Sequence, residues 1–131
     1  MNEQRLDLEE AIRDYNEKCY LSSLVLCRRA YEGALAQAYK SKTNSDPIQD
    51  VLCPKCNKKI NSQYLGITKL HKWTMENKLI SEKLKSVGFL AADLGAGGAH
   101  PPLYDFPRDP DIAKLGIDAT ITLLKQIYSK T

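Results

Sequence analysis

Between residues 21 and 42 the chain places apolar side chains at helical spacing: Leu24, Cys27, Tyr31, Ala34, Leu35 and Ala38 fall on one stripe. Residues three and four apart share a face of a helix, so the pattern predicts a helix over Leu21 to Lys42 with one side buried. Its many alanines let a neighbouring helix approach closely. A chain organised around such an element must bring further helices onto it. The run Lys42-Thr43-Asn44-Ser45-Asp46-Pro47 stops it. Asn, Ser and Asp compete for backbone hydrogen bonds there, and Pro47 cannot continue a helix.

Helical periodicity also dominates elsewhere, and strand alternation is not evident. Leu8, Ala11, Ile12, Tyr15 and Cys19 define one face of a first helix. A third helical stretch is expected from Ile67 to Asn77, carrying Leu70, Trp73 and Met75. Ser81 is the expected N-cap of a fourth, with Leu84, Val87, Ala91 and Leu94 in phase and Gly95 as its stop. Residues 95–110 hold four of the six prolines and three of the seven glycines, which predicts a structured loop. A last helix starts near Asp109 or Asp111. One of its stripes is Ile112, Leu115, Ala119 and Leu123; the other is Ile117, Ile121, Leu124 and Tyr128. Two apolar sides need two covers, the chain's own bundle and a second subunit. Residues 43–62 read as a connecting loop.

The length of 131 residues suits one domain with one core. No apolar run approaches the ~20 residues that span a bilayer, so no membrane partner is expected. The start, Met1 to Asp7, is acidic and lacks a signal-peptide core, which makes a reducing cytoplasm the expected compartment. Net charge is only +3, but residues 51–86 hold eight Lys against two Glu. Lys55, Lys58, Lys59, Lys69 and Lys72 form a candidate phosphate-tracking surface for nucleic acid. A solvated face that keeps the protein in solution is the commoner origin of such a pattern. Tyr64, His71 and Trp73 lie among these lysines, an arrangement that stacks bases in some proteins and is core in most.

Cys53-Pro54-Lys55-Cys56-Asn57 is the most distinctive local motif. Thiolates two residues apart in a turn fit a zinc knuckle, yet a structural site needs four ligands. Cys19 and Cys27 cannot supply the other two together, since eight helical residues separate them by ~12 Å along the axis. Their helical setting suits buried thiols. One of them, or His71, is a candidate third ligand. Two such loops meeting across a dimer axis make a complete Cys₄ site. An unmetallated half-site is the alternative. A thioredoxin-like redox role lacks its helix-and-sheet context.

Three stretches together resemble a HEPN-like family of unknown function that occurs alone and in restriction-enzyme subunits. They are Cys27-Arg28-Arg29-Ala30-Tyr31-Glu32-Gly33-Ala34-Leu35; Leu79 to Leu84 followed by Leu94-Gly95-Ala96-Gly97-Gly98-Ala99-His100-Pro101; and Leu123-Leu124-Lys125-Gln126-Ile127-Tyr128. The similarity spans roughly residues 20–129. It implies an all-α, antiparallel four- to five-helix HEPN-like bundle over 1–131, often a symmetric homodimer, with 43–62 as a Cys-containing loop insertion.

Active HEPN proteins are metal-independent endoribonucleases with an Arg-x(4–6)-His motif. The resemblance makes His100 that histidine, but the arginine positions hold Asp93, Leu94 and Gly95, and the family's Asn is Ala96. An arginine fork binds phosphate in two places, whereas aspartate repels it. The expectation is therefore a catalytically degenerate accessory or binding module in a nucleic-acid or defence context. The competing expectation is an endoribonuclease using His100 with Arg28, Arg29 or Arg108. A third is a zinc-bridged structural dimer. His100 also suits a purely structural role, and an ion pair with Glu32 is the plainer use of Arg28 or Arg29. The Gly95-Ala96-Gly97-Gly98 run follows a helix rather than a strand, so it reads as a helix stop and not a phosphate loop.

Overall fold

Residues 2–88 and 109–131 are described by the computed structural model. Helix α1 covers Asn2–Asn16 and α2 covers Tyr20–Thr43. Strands β1, Ile48–Leu52, and β2, Lys59–Tyr64, follow; α3 covers Ile67–Glu76. A 3₁₀ turn, Glu82–Leu84, leads into helical residues 85–88, and α4 covers Pro110–Ser129. Among the described residues no helix is long and apolar enough to cross a membrane.

Helix α2 is the axis of the fold, as its stripe predicts: α1, α3 and α4 all pack on it. Leu24, Cys27, Tyr31, Ala34, Leu35 and Ala38 are all buried. The main core joins Tyr31, Ala34 and Leu35 to Leu70, Ile80, Leu123 and Ile127. Each fully buried Leu or Ile contributes about 1.5–3 kcal/mol of transfer free energy. Lys18, in left-handed conformation at φ 65°, reverses the chain between α1 and α2. The two helices then run antiparallel: Ser23 Oγ donates to Ala11 O at 2.8 Å and Arg29 pairs with Asp7. Asn44 at φ 57° closes α2, its N–H donating to Lys40 O at 2.8 Å. This is the left-handed position that Asn tolerates better than most residues.

The inner face of α1 departs from expectation. Gln4 and Asp7 are buried with Ala11, while Ile12 and Cys19 are exposed. Polar side chains enter because each has a partner: Asp7 meets Arg29, and Gln4 Oε1 accepts from the Tyr128 hydroxyl at 2.9 Å. Along α4, α1 and α2 cover the second stripe, with Ile117 and Leu124 buried and Ile121 and Tyr128 partly so. That cover comes from the same chain.

The all-α expectation is overturned between α2 and α3. Residues 43–62 are not a plain loop, because β1 and β2 form an antiparallel hairpin with Ile48 opposite Tyr64, Gln49 opposite Gln63 and Asp50 opposite Ser62. An irregularity in the pairing falls between Val51 and Leu52. Period-2 alternation is weak here because only Gln49 and Val51 of the strand residues are partly buried. Alternation in sequence records burial on one face, and this ribbon buries little.

Ser81 holds the expected N-cap position in extended conformation, but without the expected chemistry. Its side chain makes no capping bond, its amide donates to Gln126 Oε1 at 2.6 Å, and a 3₁₀ turn follows. The continuation expected through Ala91, Leu94 and Gly95, and the loop to Arg108, lie outside the described residues.

Candidate functional site

The hairpin base, the start of α3 and the side of α2 border an open cleft of about 470 Å³ lined by Arg28, Gln49, Gln63, Tyr64, Thr68 and Lys69. Local structure explains each contribution. Gly66 in extended conformation separates β2 from α3, so Tyr64 ends a strand while Lys69 lies in the first turns of a helix. The Lys69 ammonium donates to Gln49 Oε1 at 2.7 Å, which ties α3 to β1. Tyr64 is 68% exposed, so its ring is available on the rim. Arg28, partly buried on α2, reaches the same cleft.

Arg29 leans the other way, its Nε 3.4 Å from Asp7 Oδ2 on α1. Its acidic partner is thus on the neighbouring helix and not Glu32 on its own. Of the candidate lysines, Lys55, Lys58 and Lys59 are exposed along the hairpin end, with Lys59 Nζ 3.4 Å from Asp50 Oδ1. Lys72 borders a separate cavity of about 420 Å³ with Thr68, His71, Met75 and Lys85.

The aromatics among these lysines divide. Trp73 packs on Tyr39 with ring centroids 4.8 Å apart. His71 is buried, its Nδ1 sharing a hydrogen bond of 2.5 Å with the Tyr31 hydroxyl. Of the three, Tyr64 is exposed, Trp73 is half-buried and His71 is buried. Burial, then the Lys85 charge, pushes the His71 imidazole below its ordinary range, against an opposing backbone contact from Lys85. Burial drives the Tyr31 hydroxyl far above its own range. Both groups are therefore neutral at pH 7, and the hydroxyl donates when the imidazole proton sits on Nε2. A Cβ at Gly88 would lie 2.8 Å from the Tyr31 hydroxyl oxygen and collide with the imidazole, so glycine is needed for this close approach.

The cysteines separate as well. Cys27 is buried beside Ala11 and Ile117, and burial pushes its thiol up to about 11 against a lowering contact from Thr120. Such a thiol is inert. Cys19, expected to be buried, is exposed in the α1–α2 junction. Cys53 and Cys56 occupy the hairpin turn. Contacts from the Lys55 and Cys56 backbone, then from the Cys56 thiol, hold the Cys53 thiol below its ordinary range. Among the described residues no three His, Cys, Asp or Glu side chains are grouped to hold a metal ion. His71, a candidate third ligand, is instead engaged with Tyr31.

His100 and Arg108, with Asp93, Leu94, Gly95 and Ala96, lie outside the described residues. Sequence reasoning missed the cleft because Gln49, Gln63 and Tyr64 come together only once the hairpin pairs. The available signal was Asn57 after the Cys turn, a residue suited to the left-handed position that closes it. Comparison of the chain with family models, curated proteins and solved structures returned no match.

Proposed function

We propose that this protein is a non-catalytic accessory module that binds single-stranded nucleic acid across the hairpin base and the outer side of α3. The carrying observation is the cleft that sets Arg28 and Lys69 beside the exposed Tyr64 ring, with Gln49 and Gln63 on its wall. Cations follow a phosphate backbone while an exposed ring stacks on a base of any sequence. Lys55, Lys58 and Lys59 extend the basic surface along the hairpin, while Lys72 on α3 lines the neighbouring cavity together with Glu76 and Glu82. Between residues 48 and 72 the chain has five Lys and one acidic residue, Asp50. That balance favours an anionic ligand over a basic or neutral one, and the exposed ring beside it suits a base better than a peptide. Asp93, Leu94 and Gly95, at the three possible positions of the motif arginine, support binding without cleavage.

Fluorescence anisotropy with labelled mixed-sequence RNA and DNA strands tests the reading. Binding should weaken steeply as salt rises, and Tyr64→Ala should cost about 1–3 kcal/mol. Lys69→Glu should weaken it further. Absence of binding at low salt, or affinity indifferent to both substitutions, removes the proposal. The same RNAs incubated without metal should stay intact; cleavage that disappears in His100→Ala would assign catalysis instead.

A further inference from the structure

We infer that the Cys53–Cys56 turn is one half of a shared structural zinc site, completed by the same turn of a second copy of this chain. The turn is already shaped for it. Cys53 N donates to Lys58 O at 2.8 Å and Asn57 N donates to Cys53 O at 2.9 Å. Asn57 takes φ 60°, which lets the chain reverse within the turn. Both cysteines therefore belong to one closed turn at an accessible end of the ribbon, with Cys56 exposed and Cys53 partly so. Paired thiolates select a soft or borderline ion such as zinc over magnesium or calcium.

One chain cannot close this shell with sulfur. A structural zinc takes four ligands, and the protein has four cysteines. Cys27 is sealed in the helical body, and Cys19 sits at the α1–α2 junction. A second turn related by a two-fold axis supplies the missing pair without rearranging either body. The ribbon has its own need for a partner. Two strands alone are marginal in water, and Leu52 and Ile60, flanking the turn, are 51% and 62% exposed. Tip-to-tip docking covers these side chains and leaves the cleft at the hairpin base open. In forming the site each of the four thiols gives up its proton and donates one sulfur lone pair to Zn²⁺. No oxidation or reduction occurs.

The test uses the full chain purified under reducing conditions without chelator, with zinc measured by elemental analysis and mass by light scattering. The expected result is about half an equivalent of zinc per chain in a species of two chains. Cobalt added to the metal-free protein should give the spectrum of a tetrahedral four-thiolate complex at the same stoichiometry. Cys53→Ser and Cys56→Ser should each abolish metal binding while the far-UV circular dichroism of the helices persists. One equivalent per chain, a cobalt spectrum with fewer than four thiolates, or no metal uptake by the reduced protein each overturns the inference. These readouts are independent of nucleic-acid binding.

Discussion

At the contact between α2 and α3 a tyrosine and a histidine share one hydrogen bond inside the core, Tyr31 to His71 Nδ1 at 2.5 Å. Burying such a pair is tolerable only while both stay neutral and bonded. In the unfolded chain the imidazole protonates near its ordinary 6.5, whereas burial and the Lys85 charge hold it lower in the fold. Below that value the unfolded state binds more protons than the native one. Stability from this group is therefore complete above pH 6.5 and is lost as pH falls through the depressed value. Thermal unfolding midpoints should therefore decline as pH falls below 6.5, ahead of the carboxylate range. The decline should flatten in His71→Gln. An unchanged slope in that variant would place the pH response on another group.

Single elements show how local chemistry sets boundaries. Helix α4 begins where Asp109 Oδ1 accepts from the Asp111 amide at 2.7 Å and Pro110 enters the first turn. Capping of this kind is worth ~1 kcal/mol, so Asp109→Ala should lower unfolding stability by about that amount and Asp109→Asn by less. Urea denaturation measures both, and equal losses would mean that the cap bond contributes little. Ser81 shows the opposite case. A serine of the right type stands before a helical stretch, but Gln126 takes its amide from across the fold and the first turn tightens to 3₁₀. The hairpin is the extreme, an element held by its ladder and its turn with almost no buried side chains.

For the whole molecule, stability rests on α2. Leu35 is fully buried in the main core, where α2 meets residues of α3 and α4. Leu35→Ala should therefore cost about 2–5 kcal/mol, the transfer term plus the cavity left behind. A loss below ~1 kcal/mol in chemical denaturation would show that the helices collapse onto the gap. The division of labour follows from the same geometry. The helical body supplies the rigid core, while the exposed cations of residues 55–72 and the paired thiols stand on the hairpin and α3. Substitutions in the ribbon should thus change binding and leave global stability nearly intact.

The helices were legible from the sequence because burial writes itself into spacing: α2 follows its apolar stripe and α4 follows its two except at Leu115, which is 45% exposed, while Asn44 and Asp109 mark ends through chemistry that acts within a few residues. The Cys53–Cys56 turn was legible for the same reason. The hairpin strands were not, since a ribbon that buries little leaves no period for the eye to find. Nor were the inward Gln4 and Asp7, whose partners lie on other helices. Tertiary structure alone decided that Arg28 faces the hairpin while Arg29 meets Asp7, that His71 is spent on Tyr31, and that Tyr64 stays on the surface. Sequence determines what depends on neighbours along the chain; contacts between residues remote in sequence are settled only when the whole chain packs.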